Sequence, residues 1–289
     1  GVREWSNKPG VLAPSVSMTQ LATAAPPPLD GRRALWPPGR IELAGQLWGS
    51  GYILPGGEAE VLRVATPLGL SEATSLLLLG CGPGGAACSI VRHLGAWVTG
   101  FEADPDLAAA ATALSLQSGL ARRAEIEPWD PAAPRFQHRS FHHALAFDPI
   151  RDKVAEPVLG ALALALRFGG QIVLVQTVAD TQLDPADPAI QTWSRLEQRA
   201  PELPSEQMIT RVLNRLGYEV YITEDVSRRH IRLAVRGWRD ALREMRDKPS
   251  SASAALLTRE AELWLRRVNL LRSGVLRLIR WHAVHRAPA

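Results

Sequence analysis

Four consecutive leucines, Leu76 to Leu79, run straight into the glycine-rich stretch Gly80 to Gly85, and this junction limits what the chain around it can become. A short apolar run ending at such a turn reads as a buried parallel strand. Both faces of the strand need covering, and the turn needs positive φ or close backbone approach. The following AACSIVRHL has helical spacing. The unit is strand, glycine loop, helix, with the loop at the C-terminal edge of a sheet, where open α/β folds bind ligands. Gly80, Gly82 and Gly85 satisfy the G-x-G-x-x-G spacing, and Glu102 follows about twenty residues on, where a ribose-binding carboxylate is expected. The pattern fits several nucleotide-like cofactors.

Further strands alternate with helices along the chain. AWVTGFEADP is a second strand ending in Glu102 and Asp104, DLAAAATALSLQSGL a helix favoured by propensity, and AEIEPWD a short third strand ending near Asp130. HHALAFD forms a fourth strand ending at Asp148, followed by the helix VAEPVLGALALALRF and a turn at Gly169 and Gly170. QIVLVQT is a fifth strand, SEQMITRVLNRLG an amphipathic helix with a glycine stop, and YEVYITED a sixth strand. Two helices, HIRLAVRGWRDALREMR and AALLTREAELWLRRVNLL, precede a last strand, VLRLIRWHAVHR. This order predicts an α/β fold: a Rossmann-like, doubly wound, mostly parallel seven-stranded sheet with an antiparallel last strand and a helical cap inserted before it. The expected divisions are a proline-rich arm over 1–45, a core with its lead segment over 46–225, the cap over 226–273 and the closing strand over 274–289.

Composition narrows the class. With 33 Lys and Arg against 29 Asp and Glu the net charge is only +4, which does not call for a nucleic-acid partner. No apolar stretch approaches the roughly 18 residues that span a bilayer. Cys81 and Cys88 lie in the glycine loop and its helix, which suits reduced thiols and a cytoplasmic location. The arm, with APPPLD and WPPGR, has little to bury. It has basic residues without a hydrophobic signal core, and it reads as a segment that packs on its own domain, on a second copy or on a partner protein.

LGCGPGG resembles the first motif of class I S-adenosylmethionine-dependent methyltransferases that act on small molecules. Glu102 matches the acidic end of their second strand, and Trp129 with Asp130 the third-strand position that faces adenine. QLWGSGYILPGG is similar to the segment before the fold in phosphoethanolamine and natural-product methyltransferases, which folds over the cofactor. The resemblance implies methyl transfer from S-adenosylmethionine to a small-molecule acceptor. It implies a cofactor site made of Gly80, Cys81, Gly82, Gly84, Glu102, Ala103, Trp129, Asp130 and Phe147, with Tyr52 and Trp48 from the lead segment. Two positions depart from the family: Leu78 stands where an acid is usual, and leucine accepts no hydrogen bond; His142 stands where an aspartate usually opens the fourth strand. FDPIRDK replaces the histidine that phosphoethanolamine methyltransferases carry after that strand, which argues against a phosphobase acceptor.

Methyl transfer draws much of its rate from orientation in a dry pocket and needs a base only when the acceptor must lose a proton. Asp148 is the first candidate to contact or deprotonate the acceptor, and a helix cap is its plain structural reading. His230 would reach the pocket from the cap, or else sit exposed at a helix start. Trp48 and Tyr52 would enclose a cation by their ring faces, or simply pack. His138, His142 and His143 lack a further ligand at metal spacing, and His142 and His143 point to opposite faces of a strand, so no metal site is expected. The arginine-rich late helix reads as a solvated surface, with contact to a membrane surface as the other reading. Two other functions remain open: a flavin or nicotinamide oxidoreductase, whose fingerprint the loop also satisfies, and a methyltransferase-fold assembly or regulatory subunit without turnover.

Overall fold

A computed structural model describes residues 34–247 and 253–286. Two helices, α1 (Pro38–Trp48) and α2 (Gly57–Ala65), lead into β1 (Ser75–Leu79), α3 (Gly85–Leu94), β2 (Trp97–Glu102), α4 (Pro105–Gln117) and β3 (Ala124–Pro128). Then follow β4 (Phe141–Phe147), α5 (Glu156–Ala165), β5 (Leu166–Val178), α6 (Pro188–Glu197), α7 (Glu206–Arg215) and β6 (Tyr218–Asp225). The chain ends with α8 (Ser227–Asp247), α9 (Ala254–Arg272) and β7 (Arg277–His285). The seven strands form one sheet in the order β3-β2-β1-β4-β5-β7-β6. β1 to β5 pair in parallel, and β7 runs antiparallel to both β5 and β6, as the sequence predicts.

The leucine run is explained by the pleat. Successive side chains point to opposite faces of a strand, and both faces of β1 are covered. Leu77 and Leu79 enter a cluster with Val158, Leu162, Ile209 and Leu213 of α5 and α7. Leu76 and Leu78 enter another with Val61, Val64, Ala87 and Ile90 of α2 and α3. All four leucines are fully buried, so β1 is an interior strand of the sheet, covered by helices on both faces, and its C-terminal end projects the glycine loop.

The cap is larger than the sequence suggests. The boundary expected at residue 45 falls inside α1, and the compact unit runs Leu35–Ala289. Pro38 occupies the first turn of α1, where proline costs no hydrogen bond and its φ suits a helix. Leu43, Ala44, Leu47 and Trp48 then pack against Ala234, Ala241, Trp264 and Val268 of α8 and α9. Arg40 binds Glu260 of α9 through Nε to Oε2 at 2.7 Å, and Trp264 Nε1 donates to Glu260 Oε1 at 3.1 Å. Residues 1–33 of the expected arm, with any partner contact they make, lie outside the described residues.

β5 begins earlier than the sequence suggests. The stretch LRFGG, expected to end a helix and turn, belongs to the strand: Leu166 already pairs with Phe141, and a register shift separates this pair from His143 and Gln171. The glycines accommodate that irregularity, with Gly169 at φ 73°. A further helix not foreseen, α6, starts at the Asp187 side-chain cap and Pro188 and packs Ile190, Trp193 and Leu196 against Leu263, Leu270 and Leu271 of α9.

Gly237 marks the crossing of α1 and α8: a methyl group there would lie 2.4 Å from Cζ3 of Trp48 and 2.8 Å from the Leu47 carbonyl oxygen. Gly237→Ala is expected to destabilise the protein by about 1–3 kcal/mol through overpacking. Gly160→Ala in α5, where a methyl meets open space, is expected to stabilise by about 0.5–1 kcal/mol. Urea unfolding of both variants checks the pair.

Candidate functional site

The glycine loop closes against three neighbouring segments. A side chain at Gly80, which sits at φ 76°, would reach within 2.6 Å of the Phe147 carbonyl oxygen at the end of β4. Gly85 donates its N–H to Gly51 O at 2.9 Å, and a methyl there would come within 2.6 Å of that oxygen. Tyr52 seals the same contact, its hydroxyl 3.1 Å from Gly85 O and 3.3 Å from Glu58 Oε2. Burial raises the Tyr52 pKa to about 12, so the phenol keeps its proton and acts as a donor. The lead segment thus lies directly on the loop.

Glu102 ties the loop to β2. Its Oε2 accepts from Gly82 N–H at 2.8 Å, and its Oε1 accepts from Ala103 N–H at 2.9 Å and Asp104 N–H at 3.1 Å. The residue is buried. Burial raises its pKa, opposed by the hydrogen bonds from the Asp104, Gly82 and Ala103 amides. Two carboxylate oxygens offer about four acceptor positions, so three amides leave about one for a further donor.

The other predicted residues divide. Trp129 donates its backbone N–H to Glu102 O at 3.3 Å, and its ring lies 6.0 Å from that of Phe136; Phe147 sits half-buried beneath Gly80. Ala103 is exposed beside Glu102, and exposed Asp130 accepts from Ala132 N–H at 2.9 Å. Cys81 is buried against Gly100, and burial pushes its thiol pKa up. Trp48 does not join the loop: it is 7% exposed and packs edge-on against Trp264 with ring centroids 4.9 Å apart.

Asp148 follows β4 in the left-handed region, at φ 47°. It caps no helix. Its Oδ1 accepts from Thr177 N–H at 2.9 Å and from Gln176 Nε2 at 2.7 Å, and its Oδ2 accepts from Arg199 at 3.0 Å. Burial alone would raise its pKa, but Arg199 and then Arg151 outweigh that and hold the carboxyl below its ordinary value. Around it lies a polar network that the sequence does not announce. Arg199, 1% exposed at its side chain, also donates to Ile150 O at 2.9 Å. Arg151 donates to Glu197 O at 2.9 Å, and Arg267 Nε to Glu197 Oε1 at 2.8 Å. Gln176 was legible as a polar residue in an apolar strand; the arginines come from separate elements, and no spacing joins them.

His230 is drawn inward from the start of α8. Its ring lies 5.8 Å from Trp264, tilted by 34°. Burial and then the Arg267 charge push its pKa down to about 3, although Asp148 opposes them. It is therefore a neutral imidazole at neutral pH.

Of the two departures, Leu78 lies near the loop end of β1 and His142 near the start of β4. Leu78 fills the α2–α3 layer. His142 accepts from Ser75 N–H at Nδ1 at 2.9 Å, and His143 accepts from Gln171 N–H at 3.1 Å. Among the described residues no three His, Cys, Asp or Glu side chains converge to hold a metal ion, and no helix is long and apolar enough to cross a membrane.

No family model matches the sequence, and no curated protein matches it. Solved structures share the fold. Phosphoethanolamine N-methyltransferase 2 of Haemonchus contortus, in complex with phosphomonomethylethanolamine and S-adenosylhomocysteine, superposes with a TM-score of 0.76 at 16% identity, covering 86% of this chain but 58% of that one. A putative sarcosine dimethylglycine methyltransferase from Galdieria sulphuraria gives 0.69 at 15% identity, over 84% and 97% of the two chains. Geranyl diphosphate C-methyltransferase from Streptomyces coelicolor A3(2), with Mg2+, geranyl diphosphate and S-adenosylhomocysteine, gives 0.62 at 12% identity, over 79% and 80%.

His230 gives this site a pH signature. Its folded pKa lies below that of an unfolded histidine, 6.5, so the unfolded state takes up the proton first. The contribution is complete above pH 6.5 and is lost as the pH falls from there towards about 3. Comparing wild type with His230→Asn in urea unfolding across this window, the wild type is expected to lose more stability on acidification; parallel curves would contradict the burial of a neutral imidazole.

Proposed function

We propose that this protein is an S-adenosylmethionine-dependent methyltransferase acting on a small-molecule acceptor. The observation that carries the reading is Glu102: a buried carboxylate at the end of β2, bound to the glycine-loop amide of Gly82, with about one acceptor position left for a hydroxyl donor. The fold shared with methyltransferases whose structures hold S-adenosylhomocysteine supports it. The residues present fit the cofactor. Gly80 and Gly82 bring a backbone without side chains to the edge of β1, Glu102 would accept from a ribose hydroxyl, and Trp129 and Asp130 would serve the adenine. Bound there, S-adenosylmethionine would supply a methyl group on a sulfonium, released as the acceptor's lone pair attacks.

Asp148 and His230 then belong to the acceptor side. Neither titrates near pH 7: Asp148 is held ionised by Arg199, and His230 is held neutral by burial. A general base works best with a pKa near the working pH. The two groups instead orient the acceptor, Asp148 by accepting its hydrogen bond and His230 by lining the wall beside Trp264. This suits an acceptor atom that is nucleophilic without prior loss of a proton. The helices α1, α8 and α9 close the edge above the network, and exclusion of water from that space is what the transfer requires.

Incubation with methyl-labelled S-adenosylmethionine and a panel of amine, carboxylate and prenyl acceptors tests the reading. Label is expected in a small organic product. Asp148→Asn is expected to lower kcat by about 10- to 100-fold through misplacement of the acceptor while S-adenosylhomocysteine affinity stays within roughly twofold. Equal loss of both would contradict the assigned division of the site.

A further inference from the structure

The long helix α8 concentrates the charge of the chain. It carries seven arginines against three acids, a surplus of four that equals the net charge of the entire sequence, +4. One face is accounted for by packing: Ile231, Ala234, Trp238, Ala241 and Met245, recurring every three or four residues, meet α1 and α9. A different side carries Arg228, Arg232, Arg239 and Arg246, four and seven residues apart and all exposed. Among the described residues Arg228, Arg232 and Arg246 make no ion pair, and Arg239 pairs with its own neighbour Asp240 at 3.0 Å. Between them in the same row stand Val235 and Leu242, 51% and 48% exposed.

A solvated helix face is stabilised by opposite charges four residues apart. Here Arg228 and Arg232, Arg232 and Arg236, and Arg239 and Arg243 place like charges at that spacing, which disfavours the helix. The arrangement is understandable if an external anionic surface offsets the repulsion. The row is about 30 Å long on a helix of 21 residues. Val235 and Leu242 have nothing to contact on a phosphate backbone, whereas the boundary between headgroups and acyl chains buries such side chains while arginines hold the phosphates.

We propose that α8 docks the protein on the surface of an anionic lipid bilayer, with Arg228, Arg232, Arg239 and Arg246 on headgroup phosphates and Val235 and Leu242 in the headgroup boundary. The attachment is peripheral. It is independent of the proposed enzymatic reading, because none of these side chains belongs to the cofactor or acceptor site.

Flotation of the purified protein with vesicles tests it. The protein is expected to float with phosphatidylcholine vesicles containing about one-third phosphatidylglycerol, to stay behind with phosphatidylcholine alone, and to release as salt rises. The variant Arg232→Gln/Arg239→Gln/Arg246→Gln is expected to bind roughly tenfold or more weakly, and Leu242→Ser to weaken binding at unchanged charge. A control that removes three exposed arginines elsewhere, Arg122→Gln/Arg195→Gln/Arg211→Gln, is expected to float like wild type. Circular dichroism confirms that each variant is folded. The proposal is overturned by failure of wild type to float with anionic vesicles, by equal loss in the control variant, by indifference to Leu242→Ser, or by binding of RNA in place of vesicles.

Discussion

The hydrogen bond from Gly82 N–H to Glu102 is the joint on which this structure turns. It links the loop after β1 to the end of β2, and it does so with a carboxylate buried enough that desolvation raises its pKa. Such a group is costly unless amides satisfy it. Three backbone N–H groups do so, fixing where β2 stops and how α4 begins, since Asp104 next in line caps that helix through Asp106 and Leu107. The loop, two strand ends and one helix start are therefore mutually determined.

Above this joint the chain brings separate elements together. The lead segment lies on Gly85 through Gly51 and Tyr52, while α1 is held to α9 by Arg40 and Glu260 and to α8 through the clearance that Gly237 gives Trp48. Beneath the helices, Asp148, Arg199, Glu197 and Arg267 form a continuous ionic network between β4, the end of α6 and α9. Removing one partner of a buried pair leaves an uncompensated charge, so this network holds the end of β4, α6 and α9 together as apolar packing holds the sheet to its helices.

The sheet was legible because its signals are local. A leucine run ending in glycines has few alternatives, and Glu102 was found by its distance along the chain from Gly80. The helices α1 and α6 lie outside the sequence reading; each begins with a proline, a residue that disfavours helix interiors but fits a first turn, where Pro38 and Pro188 sit. β5 was cut short because Gly169 and Gly170 read as a turn, when pairing of Leu166 with Phe141 carries the strand through them. Trp48 was read as an aromatic over the loop; its position depends on Trp264 and Gly237, both about two hundred residues away in sequence. The arginines around Asp148 had no sequence signal, since only tertiary packing brings them together.

The most direct test of the account is calorimetric titration of the purified protein with S-adenosylhomocysteine, for wild type and Glu102→Ala in parallel. Saturable binding by wild type, weakened by about 1–3 kcal/mol in Glu102→Ala as buried amides and a ribose hydroxyl lose their acceptor, is the predicted result. No binding by wild type at millimolar ligand, or equal affinity in both proteins, would contradict the assignment of the glycine loop and Glu102 as a cofactor site.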